Sequence, residues 1–151
     1  MRAIAQADRR PDAVVVTSSS ISSNGLPEFN GWFVVLPADF PAADLGAALA
    51  DALEASQRHH NFEASPLART ASDRLAPVYA AVGVASARAY AKGAASAAVE
   101  RIDGRYYLQP MKPQAGGFTA YGQEREYAGD APPETLGAWC RAALDAVAPS
   151  S

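Results

Sequence analysis

The sequence predicts an α+β fold, a mixed α/β sandwich with a mostly antiparallel central sheet packed by alanine-rich helices in a single domain. Three observations lead there. One phrase is written twice: residues 41–53 read P-A-A-D-L-G-A-A-L-A-D-A-L and residues 132–144 read P-P-E-T-L-G-A-W-C-R-A-A-L. In each copy a proline opens a helix, and Leu and Gly follow in the first turn. Apolar, β-branched runs at Ala13–Thr17 and Gly31–Leu36 read as strands. An Asp103-Gly104 pair between two further strand-like runs supplies the positive φ angles of a tight hairpin turn. At 151 residues the chain suits one sizeable core.

In chain order, residues 1–12 are polar and read as a flexible N-terminus before a domain over 13–148. Ser18 to Pro27 is a loop by composition. Gly31–Leu36 is continuous and apolar, so burial on both faces is expected. The first copy of the phrase predicts a helix over about Ala42 to Arg58, with Pro41 at a first-turn position where its missing N–H costs nothing. Asp44 lies near the positive end of its dipole, and Leu45, Leu49 and Leu53 form one apolar stripe. A weaker helix runs from Ser72 to Val82, interrupted by Pro77, and Gly83 and Gly93 bracket another short one. Ala97 to Ile102 and Arg105 to Leu108 are the hairpin strands, stopped by Pro110 and Pro113. Arg125 to Tyr127 is a brief strand. The second copy predicts a helix over about Pro133 to Val147, with the stripe Leu136, Cys140 and Leu144. Strand spacing leaves the order of the sheet open.

Composition narrows the function classes. The hydrophobic fraction is 49% and the net charge -3. That charge disfavours a nucleic-acid partner, which needs a basic patch. The single cysteine, Cys140, fits a reducing cytosol. The N-terminus lacks the apolar stretch of a signal peptide, and no run approaches the roughly 20 apolar residues of a membrane helix. A cytoplasmic chain with no membrane contact is the expectation.

No group of residues announces catalysis, a cofactor or a metal. His59 and His60 are adjacent and point roughly 100° apart on a helix, so they cannot share one ion. With Glu63 nearby they read as helix-end surface residues, a partner contact or proton transfer being the alternative. Cys140 stands on an apolar stripe and reads as core, not as a nucleophile. Ser18, Ser19, Ser20, Ser22 and Ser23 lack a nucleophile-elbow context. Gly116-Gly117 lacks phosphate-loop spacing. Glu124 and Glu126 would share one face of a strand, as a solvated face or a binding patch. Phe118, Tyr121 and Tyr127 lie in the same Gly-rich segment as these acids and Asp130. Tyrosine beside acid on a loop suits a protein-binding surface, because aromatic anchors dominate binding energy. Tyr121, Glu124, Glu126, Tyr127 and Asp130 are therefore the candidate partner-binding residues; a loop folded over an apolar edge is the plainer reading.

The series G-W-F-V-V-L-P, L-G-A-A-L-A-D-A-L-E-A-S, K-G-A-A-S-A-A-V-E-R-I-D-G-R-Y-Y-L-Q-P, G-G-F-T-A-Y and P-P-E-T-L-G-A-W-C-R-A-A-L resembles the immunity proteins of bacterial contact-dependent growth inhibition (CDI) systems. The resemblance covers roughly residues 30 to 147. It implies a small α/β domain that binds, one to one, the toxic C-terminal domain of a cognate toxin, in many cases a nuclease, and blocks its active site. It carries no catalytic residue to transfer. Two rival readings remain: a small cytosolic enzyme using the His59/His60 region, and an adaptor that self-associates through its alanine-rich helices.

Overall fold

A computed structural model describes residues 2–23, 25–58, 71–115 and 117–147. Seven strands form one sheet, β1 (Arg2–Arg9), β2 (Ala13–Ile21), β3 (Pro27–Pro37), β4 (Ala95–Ile102), β5 (Arg105–Gln114), β6 (Gly117–Ala120) and β7 (Arg125–Ala128). Four helices accompany it: α1 (Ala42–Arg58), α2 (Ala71–Ala81), α3 (Ala87–Ala91) and α4 (Pro133–Asp145). The sheet order is β3-β2-β1-β4-β5-β6, with β7 also on β5, and every pairing is antiparallel. Helices α1 and α4 cover one face, and α2 and α3 pack on the other. The α+β class is as the sequence predicts.

The N-terminal residues are a correction. Residues 2–9 are the central strand β1, hydrogen-bonded to β2 on one side and β4 on the other. Ala3, Ala5 and Ala7 are fully buried under α1 and α4, while Gln6 and Asp8 point to the opposite face. Alternation with period two was present, but alanine is a weak strand former and hides the signal. These alanines leave room for the helices to lie close to the sheet.

The serine cluster is a second correction. Ser18 and Ser20 belong to β2 and are buried beneath α1, so the loop begins only after Ile21. Ser18 Oγ donates to the Ala52 carbonyl at 2.7 Å and Ser20 Oγ to the Ser56 carbonyl at 2.8 Å. Both hydroxyls accept from the Asn30 amide, at 2.8 and 2.9 Å. Ser56 Oγ donates to the Ser19 carbonyl and accepts from the Ile4 amide. The last carbonyls of a helix lack intrahelical donors; here the sheet supplies one. Strand β3 also departs from expectation: it is an edge strand and only partly buried, with Val35 39% exposed. Strand β5 runs through both Pro110 and Pro113 to Gln114. The Asp103-Gly104 turn forms as predicted, with φ of 51° and 79°.

The repeated phrase proves to be a packing device. Gly46 lies against the backbone of Pro133, and Gly137 lies against the backbone of Ala42. Pro133 stands four residues before Gly137 and Ala42 four before Gly46, so the contact is reciprocal. Each glycine admits the other helix's first turn, at a place where any side chain would collide with backbone. The stripes Leu45–Leu49–Leu53 and Leu136–Cys140–Leu144 are buried in the same core. Complete burial of each leucine contributes about 1.5–3 kcal/mol. These stripes are spent on each other and on the sheet and are not open to self-association.

Two predictions follow from this packing. A methyl at Gly46 would fall inside the van der Waals envelope of the Pro133 carbonyl. Helix propensity alone would favour Gly46→Ala by about 1 kcal/mol, but the clash forces two helices apart. Gly46→Ala and Gly137→Ala should each lower stability by about 2 kcal/mol, read as a shifted urea midpoint with unchanged slope; an unchanged midpoint would show that the glycines are not required. Burial pushes the Cys140 thiol up to about 12. In the native protein it should therefore react with a thiol reagent near pH 8 at least about 100-fold more slowly than in urea, and comparable rates would contradict a sealed core.

Candidate functional site

The five candidate residues cluster at one edge of the sheet, around β5, β7 and the start of α4. Strand β7 is held on β5 by the register Tyr106↔Tyr127 and Tyr107↔Glu126. Tyr127 and Tyr106 project to the α4 side, where both meet Trp139. Tyr127 stacks on the indole with centroids 4.3 Å apart and planes 15° apart, and Tyr106 approaches it at 5.8 Å. All three are partly buried against the core. Glu126 projects from the other face and pairs with Arg105 at 2.5 Å. Strand alternation thus separates two neighbours that the sequence grouped.

Tyr121 and Glu124 line a shallow depression with Pro110, and the Lys112 ammonium lies 5.8 Å from the Tyr121 ring centroid. Asp130 is exposed and lines a second depression with Tyr106 and Pro132. The five residues share an edge but no single concavity. Arg105, Lys112 and Arg125 stand among them, so the surface carries both signs of charge and is not an acidic patch. Trp139 and Arg105 are the participants that sequence reasoning did not assign to the site. The available signal was register: a tyrosine of β5 opposite a tyrosine of β7, one helical face away from Trp139.

Chemistry is sparse elsewhere. His59, His60 and Glu63 lie outside the described residues, as does Gly116. Among the described residues no group of three or more His, Cys, Asp or Glu side chains is placed to hold a metal. No described helix is long and apolar enough to cross a membrane. Among the described residues the perturbed acid is Asp8, 3% exposed on the face covered by α2 and α3. It accepts from Tyr90 Oη at 2.6 Å, Ser96 Oγ at 2.7 Å and Gln6 Nε2 at 2.8 Å. Burial raises its pKa above the ordinary 3.8; these bonds and the Arg10 charge oppose the rise without cancelling it. The same burial and the Asp8 charge raise the Tyr90 phenol, which stays protonated as the donor.

A carboxyl that holds its proton more tightly when folded favours the folded state at low pH. That advantage is lost as pH rises through the folded pKa. Relative to Asp8→Asn, the wild-type stability should therefore fall as pH rises above 3.8, measured by urea unfolding across the acid range; a flat difference would show that burial does not burden the acid.

The chain matches the CdiI family, described as CDI immunity protein, over residues 3–146. None of the curated proteins matches it. A Neisseria meningitidis protein of unknown function has a similar structure, with TM-score 0.77, 21% identity, and coverage of 96% of this chain and 94% of that one. A chain of a CdiA-CT/CdiI toxin and immunity complex from Yersinia pseudotuberculosis is similar with TM-score 0.72, 16% identity, and coverage of 96% and 97%. At these identities the two structures share the fold. The family match is of another kind, since it spans every strand and helix from β1 through α4, and by it the chain belongs to the CdiI family of contact-dependent growth inhibition immunity proteins.

Proposed function

We propose that this chain binds, one to one and in the cytoplasm, the toxic C-terminal domain of a cognate CDI toxin and neutralises it by covering its active site, the toxin being a nuclease. The observation that carries the reading is the family match over residues 3–146. The solved toxin and immunity complex of the same fold supports it.

The contact surface in this reading is the β5–β7–α4 edge: Tyr121, Glu124, Glu126, Tyr127 and Asp130. Its chemistry suits a protein partner. Tyr127 is held rigid by Trp139, so little side-chain entropy is lost when it is covered, and pre-ordered aromatic groups are the usual anchors of an interface. The charges of both signs on this edge can pair with opposite charges on a partner, which serves specificity more than raw affinity.

The test is co-purification of the full chain with the tagged C-terminal domain of the toxin encoded beside it, followed by calorimetry. A one-to-one complex of about nanomolar affinity is expected; no binding would remove the function. Glu124→Lys with Glu126→Lys should weaken that complex at least tenfold, about 1.4 kcal/mol. The exposed Glu126–Arg105 pair contributes about 0–1 kcal/mol to stability, so the variant should remain folded. Unchanged affinity would move the toxin face away from this edge.

A further inference from the structure

On the face opposite α1 and α4, the described residues of the second layer leave an opening against the sheet. A cavity of about 180 Å³ lies there. Asp8 of β1 and Glu28 of β3 supply carboxyl groups to its lining, Arg74 of α2 supplies a guanidinium, and Phe29, Tyr79 and Phe118 supply aromatic surface. This is the sheet face remote from the Tyr127–Trp139 stack.

The telling group is Glu28. Its side chain is only 9% exposed, and Oε1 lies 3.4 Å from Arg74 Nη1. Its second oxygen, Oε2, is buried with no hydrogen-bond partner among the described residues. A buried carboxylate oxygen left without a donor is costly, so such an atom at a cavity wall marks a place where a donor belongs. Several donors beside the cavity serve the other acid. Tyr90, Ser96 and Gln6 all point at Asp8. Arg10 lies over the Tyr90 ring at 5.1 Å and pairs with Asp12.

Size and wall chemistry specify the donor. A dry cavity of about 150 Å³ admits a benzene-sized group, so this one holds a compact group on a short stem. Asp8 already has three donors and the Arg10 charge beside it, whereas Glu28 meets the Arg74 guanidinium through Oε1 and leaves Oε2 for a further cationic donor. Aromatic surface suits both a cation and its methylenes. We propose that the cavity is a recognition pocket for one alkylguanidinium or alkylammonium group, with Glu28 Oε2 as its acceptor and Phe29, Tyr79 and Phe118 around its stem. The cation is either a free small molecule or a basic side chain of the toxin; only the second source rests on the immunity reading.

The probe is n-butylguanidinium, titrated into the ¹⁵N-labelled full chain, with n-butylurea as the neutral match of the same shape. Saturable shifts confined to the cavity lining, with an affinity of about millimolar for so small a ligand, are expected for the cation and not for the urea. Glu28→Gln should weaken the cation at least tenfold, and Glu28→Asp, which keeps the charge but withdraws it, by less. Equal binding of the two probes, no saturable shift, or unaltered binding by both variants in folded form would overturn the pocket. The probe comparison uses wild-type protein and so stands even if a variant fails to fold. Adding the toxin domain then separates the sources: displacement of the probe identifies a toxin side chain, and a ternary complex identifies a free cation. Probe binding with no toxin binding would retain the pocket while removing the function proposed above.

Discussion

The structure depends on how closely α1 and α4 approach. Where a glycine of each helix meets the backbone of the other, no side chain stands between them. That proximity fixes both helices as one slab, and the slab determines what the sheet beneath can carry. Large residues on β1 would hold it off, so the strand presents Ala3, Ala5 and Ala7 there. Bulk is supplied instead by the leucines of the helices and by Val14, Val16, Val99 and Leu108 of the flanking strands. Small strand and large helix side chains are complementary parts of one packing solution.

Polar groups then fix the alignment. The Asn30–Ser18–Ser20–Ser56 network ties β2 and β3 to the end of α1 through directional bonds that an apolar contact lacks. At the other end of the same helix pair, Arg141 donates to the Phe40 carbonyl at 2.7 Å and lies over its ring at 4.8 Å. Leucines hold α1 down, and these bonds set its position along the sheet. On the opposite face Asp8 plays the corresponding part, drawing β1, β4 and α3 together through one carboxyl group.

Long, strongly patterned elements were legible in the sequence. The duplicated helices, the Asp-Gly hairpin and the α+β class all carry signals local in the chain. What was hidden was specified by distant partners. β1 looks like a frayed end because its alanines and polar residues gain meaning only between β2 and β4. The serines look like a loop because their donors are satisfied by carbonyls more than thirty residues away. The candidate edge was legible in its residue types, but not in its geometry. Strand pairing alone decides that Tyr127 faces Trp139 while Glu126 turns to Arg105. Glu28, alone in its stretch of sequence, gave no sign of the cavity it lines.

The position of α4 after all seven strands carries a consequence for synthesis. Until it leaves the ribosome, the glycine face of α1 is uncovered and much of the leucine core faces water. β1 also waits for β4, which lies some ninety residues later in the chain. The central strand and the covering helix pair thus close late, and a nascent chain released early retains an open core. Translation through α4 is therefore a condition of the closed core.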